Sequence, residues 1–259
     1  MLKTFHCVIL CSSMFAASLN AFATPTKKTG KSAGKATASA AASPTPAATI
    51  NPVWDFAIKS DDSVFAIVTQ KAGVAAKLAH NHFIAARSFD AKLSADSSNL
   101  NKGSFEFKTK VNDLEVDRAD LQKRWYPTVQ ALGWLKEPFE PLKDSDRETI
   151  RENMLASDQL NSEKFPDISA KIEKITDDTS KIGDRNYGKK ATVAITIRGK
   201  TVTRDFAANI NLQGQELQVD AAGALKFTDF GISPYKALLG ALGNDDRFYM
   251  LVSFRALKK

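Results

Sequence analysis

Apolar and polar residues alternate through most of the sequence after residue 53. Apolar residues recur at nearly every second position in three segments, 202–212, 217–227 and 248–256. Successive side chains of a β-strand point to opposite faces, so each segment places its apolar residues on one side. The pattern predicts an all-β domain with a strongly apolar interior.

Eight segments have the length and alternation of strands. They are residues 63–70, 82–95, 103–111, 167–175, 187–197, 201–212, 216–228 and 246–257. Arg198-Gly199-Lys200 and Gln213-Gly214-Gln215 separate neighbouring strands, and glycine at such positions is typical of tight hairpins. We therefore expect an antiparallel meander in the C-terminal half. Closure of eight strands into a barrel would leave no exposed edge and is the first interpretation, with a sandwich as the second.

A long stretch between residues 117 and 167 departs from the strand pattern. It contains Trp125, Trp134 and several prolines, and then a helix signal in which Ser145 and Glu148 have the spacing of a capping box. We expect a helix after Ser145.

A second short helix is expected to open at Ser233-Pro234, with Leu238, Leu239 and Leu242 facing one way. Helices of this kind can plug or cover the opening of a barrel. They can equally cover the outer surface of its strands, and the sequence leaves both possibilities open.

The N-terminal region has a different composition. Residues 1–23 combine an early lysine, an apolar stretch and a final Ala21-Phe22-Ala23, a pattern that predicts a cleaved secretory signal peptide. Residues 24–52 are rich in Ala, Ser, Thr, Pro and Lys, which predicts a disordered linker. The folded domain is expected over residues 53–259, in a periplasmic or secreted protein.

Cysteine and charge content exclude several kinds of function. Both cysteines, Cys7 and Cys11, lie in the predicted signal, so the mature chain would use neither a disulfide nor a thiolate. Without the signal and linker, 31 cations face 29 anions. A nearly neutral domain is not typical of a nucleic-acid-binding protein. We also expect no membrane-spanning segment after removal of the signal.

Three segments resemble recurring segments of the YceI-like family. They are residues 195–201, residues 160–168 with Lys164-Phe165-Pro166, and residues 227–232. The resemblance runs from about residue 63 to 256. It implies an extended, eight-stranded, lipocalin-like antiparallel barrel that binds a long polyisoprenoid in its apolar interior, in exported proteins. A longer insertion before Lys164 and a His-x-His segment, His80-Asn81-His82, are similar to a subgroup of that family.

The predicted function is an exported barrel that binds, sequesters or carries an apolar, lipid-like ligand, with a polyisoprenoid expected. No further cofactor is required, and the sequence leaves monomer and dimer open. The candidate ligand-binding residues are Phe105, Phe107, Ile195, Phe206, Ile210, Leu225, Phe227, Met250 and Phe254, with Trp125 and Trp134 expected near the mouth of the cavity.

Two alternatives remain open at this stage. One is a packed barrel that acts as a protein-interaction module of the cell envelope. The other is an exported metal-binding protein: if Asn81 lies in a strand, His80 and His82 project on one side and could chelate zinc or copper. Two ligands are fewer than a zinc site needs. No nucleophile elbow, phosphate-binding loop or dinucleotide fingerprint is present, so we predict no enzyme, with metal- or His-dependent chemistry at His80 or His82 as the alternative.

Overall fold

The computed structural model describes residues 52–259. The predicted signal peptide, and the predicted linker apart from Pro52, lie outside the described residues. The strands are β1 (Val53–Ile58), β2 (Val64–Ala72), β3 (His82–Ala86), β4 (Asp90–Asp96), β5 (Ser104–Lys110), β6 (Leu114–Val116), β7 (Asp167–Ile182), β8 (Arg185–Ile197), β9 (Lys200–Gln213), β10 (Glu216–Lys226), β11 (Lys236–Ala237) and β12 (Leu242–Lys258). The α-helices are α1 (Ala119–Ala131) and α2 (Asp144–Leu155).

The strands form a closed antiparallel barrel of eight strand paths, as the sequence predicts. The order around the barrel is β1, β4, β5, β7, β8, β9, β10 and β12, and pairing of β12 with β1 completes the circle. The first part of β12 pairs with β2, which pairs with β3, which pairs with β6. Three of the eight strand paths are therefore each made of two consecutive strands with a break between them: β1 with β2, β3 with β4, and β5 with β6. Closure leaves no barrel edge open between β1 and β12.

The C-terminal half is the expected meander, in which β7, β8, β9 and β10 pair in chain order and β10 pairs with β12. At the β8–β9 hairpin Arg198 has φ 52° and Gly199 φ 71°, and Gly214 has φ 60° between β9 and β10. The two positive-φ residues of the first turn, and glycine as the first residue of the second, match the twist of the flanking strands, so these short turns fix the register of the pairs.

The helix α1 is not predicted by the sequence, because Pro127 inside it is a residue that normally ends a helix. Packing of the helix against the barrel compensates for the backbone hydrogen bond that the proline cannot make. Val129 is fully buried against outward-facing residues of the barrel, and Leu132 and Trp134, which follow in the chain, are buried with it. This part of the insertion therefore covers an outer face of β2, β3 and β12.

The helix expected after Ser145 is present as α2, but the prediction that Ser145 and Glu148 form a capping box is wrong. The N-cap is Lys143, without a side-chain hydrogen bond to the helix, and Ser145 lies inside the first turn. Its hydroxyl cannot reach the amide groups that an N-cap side chain satisfies. Among the described residues, neither helix is long and apolar enough to cross a membrane.

The prediction of a short helix that opens at Ser233-Pro234 is also wrong. Residues Lys236–Ala237 form β11, which pairs with the start of β12. The tight connection places Leu238 and Leu239 at positive φ, with exposed fractions of 67% and 110%. Because the chain reverses within a few residues, the leucines project outward instead of forming one apolar helix face.

Candidate ligand-binding cavity

The barrel encloses a cavity of about 280 Å³ whose wall is almost entirely apolar. Most of the wall comes from the inward positions of the strands, which is the direct result of the alternation in the sequence. In β12, for example, Phe248, Met250, Val252 and Phe254 line the cavity. Leu251, which lies between Met250 and Val252 in the chain, points the other way and belongs to the cluster on the outer face.

The interior is only partly filled by its own side chains. Ile210, Val219 and Met250 face inward, yet each is only half-buried because it borders free space. Close-packed protein interiors contain few voids larger than a water molecule. A continuous space lined by aliphatic and aromatic residues therefore has the character of a ligand pocket.

Part of the interior is filled by aromatic residues that contact one another. The ring of Phe65 lies 4.7 Å from that of Phe89, 6.0 Å from Phe105, 4.6 Å from Phe107 and 5.7 Å from Phe254, measured between centroids. These distances are typical of favourable aromatic pairs. The cluster forms a wall of the cavity and limits the space that a ligand can occupy.

The insertion between β6 and β7 supplies another part of the wall. Ile150 and Met154 of α2 and Leu160 after it line the cavity. Gln159 Nε2 donates to the carbonyl oxygen of Ser233 at 3.2 Å, which joins this segment to the connection between β10 and β11. The insertion thus has two roles: α1 covers the outside of the barrel, and α2 with the residues after it closes part of the inside.

The segments that carried the family resemblance meet in space. Arg198, in the β8–β9 hairpin, donates from Nη1 to the carbonyl oxygen of Gly231 at 2.5 Å and from Nη2 to that of Ser157 at 2.9 Å. A Cβ at Gly199 would lie 2.7 Å from Cε1 of Phe165. The hairpin therefore holds both closing segments, and Gly199 permits the close approach of the Phe165 ring.

The structure brings most of the predicted ligand-binding residues to one cavity. Phe105, Phe107, Ile195, Phe206, Ile210, Phe227, Met250 and Phe254 line it. Leu225 does not: it is 2% exposed and packs in a cluster with Ile195, Phe206 and Phe248. A contact with a ligand remains a prediction for each of the lining residues.

The two tryptophans lie elsewhere, contrary to the expected position near the mouth. Trp134 stacks on Tyr249, with 4.8 Å between ring centroids, and Trp125 is partly buried against the same outer cluster. Tyr249 alternates with the inward Phe248 and Met250 in β12. Both tryptophans therefore stabilise the cover on the outside of the barrel.

A polar group interrupts the apolar wall at His82. Its Nδ1 lies 2.6 Å from Oδ2 of Asp117, a residue that is 3% exposed. The other carboxylate oxygen of Asp117 accepts from the backbone N–H of Phe83 at 2.7 Å and from Nε2 of Gln122 at 2.8 Å. His82 and Thr69 both line the cavity, and their Cα atoms are partners in the β2–β3 pair.

Sequence reasoning did not identify Asp117, Gln122 or Thr69. Thr69 could have been found, since it lies at an inward position of an alternating strand. Asp117 lies beyond a three-residue strand and has φ 51°, and two of its partners, His82 and Phe83, come from 35 and 34 positions earlier in the chain. Only the pairing of β3 with β6 brings it to His82.

The histidine pair does not form the expected arrangement. β3 begins at His82, so Asn81 precedes the strand, and its side-chain oxygen accepts from the backbone N–H of Lys71 at 2.9 Å. His80 Nδ1 lies 2.7 Å from Oε2 of Glu140, whereas His82 faces Asp117. Within residues 52–259, no three His, Cys, Asp or Glu side chains converge as metal ligands.

Glu140 contacts Lys71 near the end of β2 and His80 in the connection between β2 and β3. Its Oε1 accepts from Lys71 Nζ at 2.9 Å, and this hydrogen bond holds the pKa of Glu140 below its ordinary value of 4.5. Partial desolvation acts in the opposite direction, and His80 adds a smaller lowering effect. The three side chains are therefore best described as a surface ion-pair group.

Comparisons with known proteins address the fold and the family. The crystal structure of Burkholderia cenocepacia BcnA matches with a TM-score of 0.53 and 12% identity, over 77% of this chain and 99% of that one. A crystal structure of Campylobacter jejuni YceI protein matches with a TM-score of 0.46 and 13% identity, over 68% and 84%. No curated protein matched. The sequence model of the YceI-like domain matches residues 56–252.

The chain belongs to the YceI-like family. The match includes all three segments on which the resemblance rested, and these segments meet where the β8–β9 hairpin contacts the insertion. The eight-stranded barrel expected of a YceI-like protein is the fold observed. The assignment of this chain to a His-x-His subgroup stays a prediction.

Proposed function

We propose that this YceI-like protein binds and carries an apolar, lipid-like molecule, with a polyisoprenoid as the first candidate. The observation that carries the proposal is the closed barrel with a free, apolar cavity of about 280 Å³. Binding by burial requires no catalytic group, and the inward side chains are predominantly of types that cannot act as acid, base or nucleophile. The predicted signal peptide supports a periplasmic or secreted location for this carrier.

Burial supplies enough free energy for such a function. Each buried methylene contributes about 0.8 kcal/mol, so a chain of three isoprene units would contribute roughly 12 kcal/mol if it were fully buried. Association itself costs an estimated ~4 kcal/mol or more, besides the ordering of a flexible chain. The difference is compatible with useful affinity, and a preformed cavity reduces the ordering cost on the protein side.

Mass spectrometry of the purified mature protein tests the proposal. The protein would be measured under native conditions and again after unfolding with organic extraction. We expect a single apolar species that accompanies the folded protein in a one-to-one complex and is released on unfolding. Protein stripped of lipid should take up added farnesol. A bare polypeptide that also fails to take up farnesol would contradict the proposal and favour a packed interaction module.

A matched pair of variants locates the binding. Ile210 lines the cavity from β9, whereas its neighbour Asn211 is exposed on the outer face. Ile210→Trp should fill the cavity and abolish uptake of farnesol. Asn211→Trp introduces the same side chain outside and should leave uptake unchanged. Equal uptake by both variants would show that the ligand binds elsewhere.

A further inference from the structure

The cavity contains a buried hydroxyl group to which residues 52–259 offer no hydrogen bond. Thr69 is 2% exposed and lines the cavity from β2, and its Oγ1 has no hydrogen-bond partner among the described residues. Buried hydroxyl groups are nearly always hydrogen-bonded, because an unpaired one costs free energy. An unpaired hydroxyl on the wall of a ligand cavity is therefore a group available to a ligand.

His82 places a second polar atom beside this hydroxyl. Thr69 and His82 are directly opposite in the antiparallel β2–β3 pair, and both line the same cavity. Side chains opposite each other on one face of such a pair have Cβ atoms roughly 4.5–5.5 Å apart. One small polar group of a ligand can thus contact both residues.

Asp117 determines which nitrogen of His82 is available. The carboxylate accepts from His82 Nδ1 at 2.6 Å, so this nitrogen carries a proton. Hydrogen bonds from Phe83 N–H and Gln122 Nε2 hold the carboxylate in place on its other oxygen. In the neutral ring, Nε2 is then the acceptor that remains for a ligand.

We infer that this pair recognises a neutral hydroxyl group at the end of the apolar ligand, an inference that rests on the proposed function. The ligand hydroxyl donates to Nε2 of His82 and accepts from Oγ1 of Thr69. A prenyl alcohol has both the apolar chain and the donor–acceptor group that this arrangement complements. The polar pair therefore selects among ligands that the apolar wall alone would bind alike.

The same arrangement disfavours an anionic head group. A phosphate ester or carboxylate presents acceptor oxygens to Nε2, which is itself an acceptor in the neutral ring. The buried Asp117 carboxylate lies on the other side of that ring, and like charges in a region of low dielectric repel each other. Lys71, a nearby cation in the chain, is paired with Glu140 at 2.9 Å.

The test compares three ligands that share one chain: farnesol, farnesyl monophosphate and farnesene, which lacks the polar group. Their affinities would be measured by calorimetry on the lipid-stripped full-length protein. We expect farnesol to bind roughly tenfold more tightly than farnesene, as two net hydrogen bonds allow. Farnesyl monophosphate should bind more weakly than farnesol.

Two conservative variants assign this preference to the pair. Thr69→Val removes the hydroxyl with little change of shape, and His82→Asn retains a donor toward Asp117 while it removes Nε2. Each should lower the affinity for farnesol about three- to tenfold and leave that for farnesene unchanged. Thr192→Val makes the same replacement on the outer face, where Thr192 contacts Asp205, and should change neither affinity.

The outcomes separate this inference from the proposed function. If all three ligands bind equally, or if farnesyl monophosphate binds at least as tightly as farnesol, the hydroxyl inference is overturned and the apolar carrier remains. Equal loss of farnesol and farnesene binding in the two variants would also overturn the inference. If none of the ligands binds the protein, both the inference and the proposed function are overturned.

Discussion

The ring of Phe206 in β9 lies directly against Gly223 of the neighbouring strand β10. A Cβ atom at Gly223 would lie 2.4 Å from Cδ1 and 2.6 Å from Cε1 of that ring. Real side chains do not approach so closely, so the missing side chain at Gly223 is what allows Phe206 its position in the cavity wall. This one contact joins the packing of β10 to the space available for a ligand.

Gly223→Ala should force the Phe206 ring away from β10. Overpacking of this kind costs about 1–3 kcal/mol, and we expect that decrease in the free energy of unfolding by urea denaturation. Because Phe206 lines the cavity, its displacement should also change the affinity for farnesol. Gly188→Ala is the control, since its Cβ would meet only Asn209 Oδ1 at 3.8 Å. A decrease as large in the control as in Gly223→Ala would contradict this explanation.

Two buried threonines should respond oppositely to the same replacement. The Thr69 hydroxyl has no partner in the described part of the chain and so costs stability, and Thr69→Val should raise the free energy of unfolding by about 1 kcal/mol. Thr109 is also buried, but its hydroxyl donates to the carbonyl oxygen of Ser88 at 2.7 Å. Thr109→Val should lower the free energy of unfolding by about 1 kcal/mol. Urea denaturation of stripped protein measures both, and a loss of stability in Thr69→Val would show that its hydroxyl is satisfied.

Arg198→Met should loosen the two segments that close part of the cavity. The variant loses the hydrogen bonds to the carbonyl oxygens of Gly231 and Ser157 but retains the apolar stem of the side chain. We expect faster amide hydrogen exchange in residues 228–232 and 157–165, and faster release of farnesol. Arg255→Met, which affects a weak contact with Glu216 at 4.0 Å, should change neither. Unchanged exchange in Arg198→Met would contradict the proposed attachment.

The contacts of Glu140 should depend on pH. Its pKa lies below 4.5 in the folded protein, chiefly because of the Lys71 hydrogen bond. The ion-pair contribution is therefore fully present above about pH 4.5 and is lost as the pH falls through the lower, folded-state pKa. Comparison of urea denaturation in Glu140→Gln and the native chain should show a small difference at neutral pH that disappears in acid. A difference that persists or grows in acid would assign the effect to another group.

Alternation predicted the inward faces well because period two is a local property of an extended chain. Ile210, Met250 and Phe254 could be assigned to the interior from the sequence alone, and the structure places each of them in the cavity wall. Alternation could not tell an inward residue beside free space from one packed in a cluster. Leu225 has the same pattern as Ile210, but it packs against Ile195, Phe206 and Phe248 on nearby strands and does not border the cavity.

The tryptophans show a different limit. Trp125 and Trp134 belong to an insertion whose period is neither that of a strand nor clearly that of a helix, since Pro127 interrupts it. Their position depends on apolar residues of β2, β3 and β12 that face outward and require a cover. A local pattern carries no information about which surface of the barrel is left exposed.

Local patterns account for the all-β class, the inward faces, the tight hairpins and the resemblance to the YceI-like family, because these depend on neighbours in the chain and on local motifs. The closure of the barrel by β12 with both β1 and β2, and the division of the insertion between outer cover and cavity wall, depend instead on contacts made across the whole domain. The tertiary structure also brings Asp117 to His82 and leaves the Thr69 hydroxyl, within residues 52–259, facing the cavity without a hydrogen-bond partner. Such contacts join residues far apart in sequence, and the pairing and packing of the whole chain bring them together.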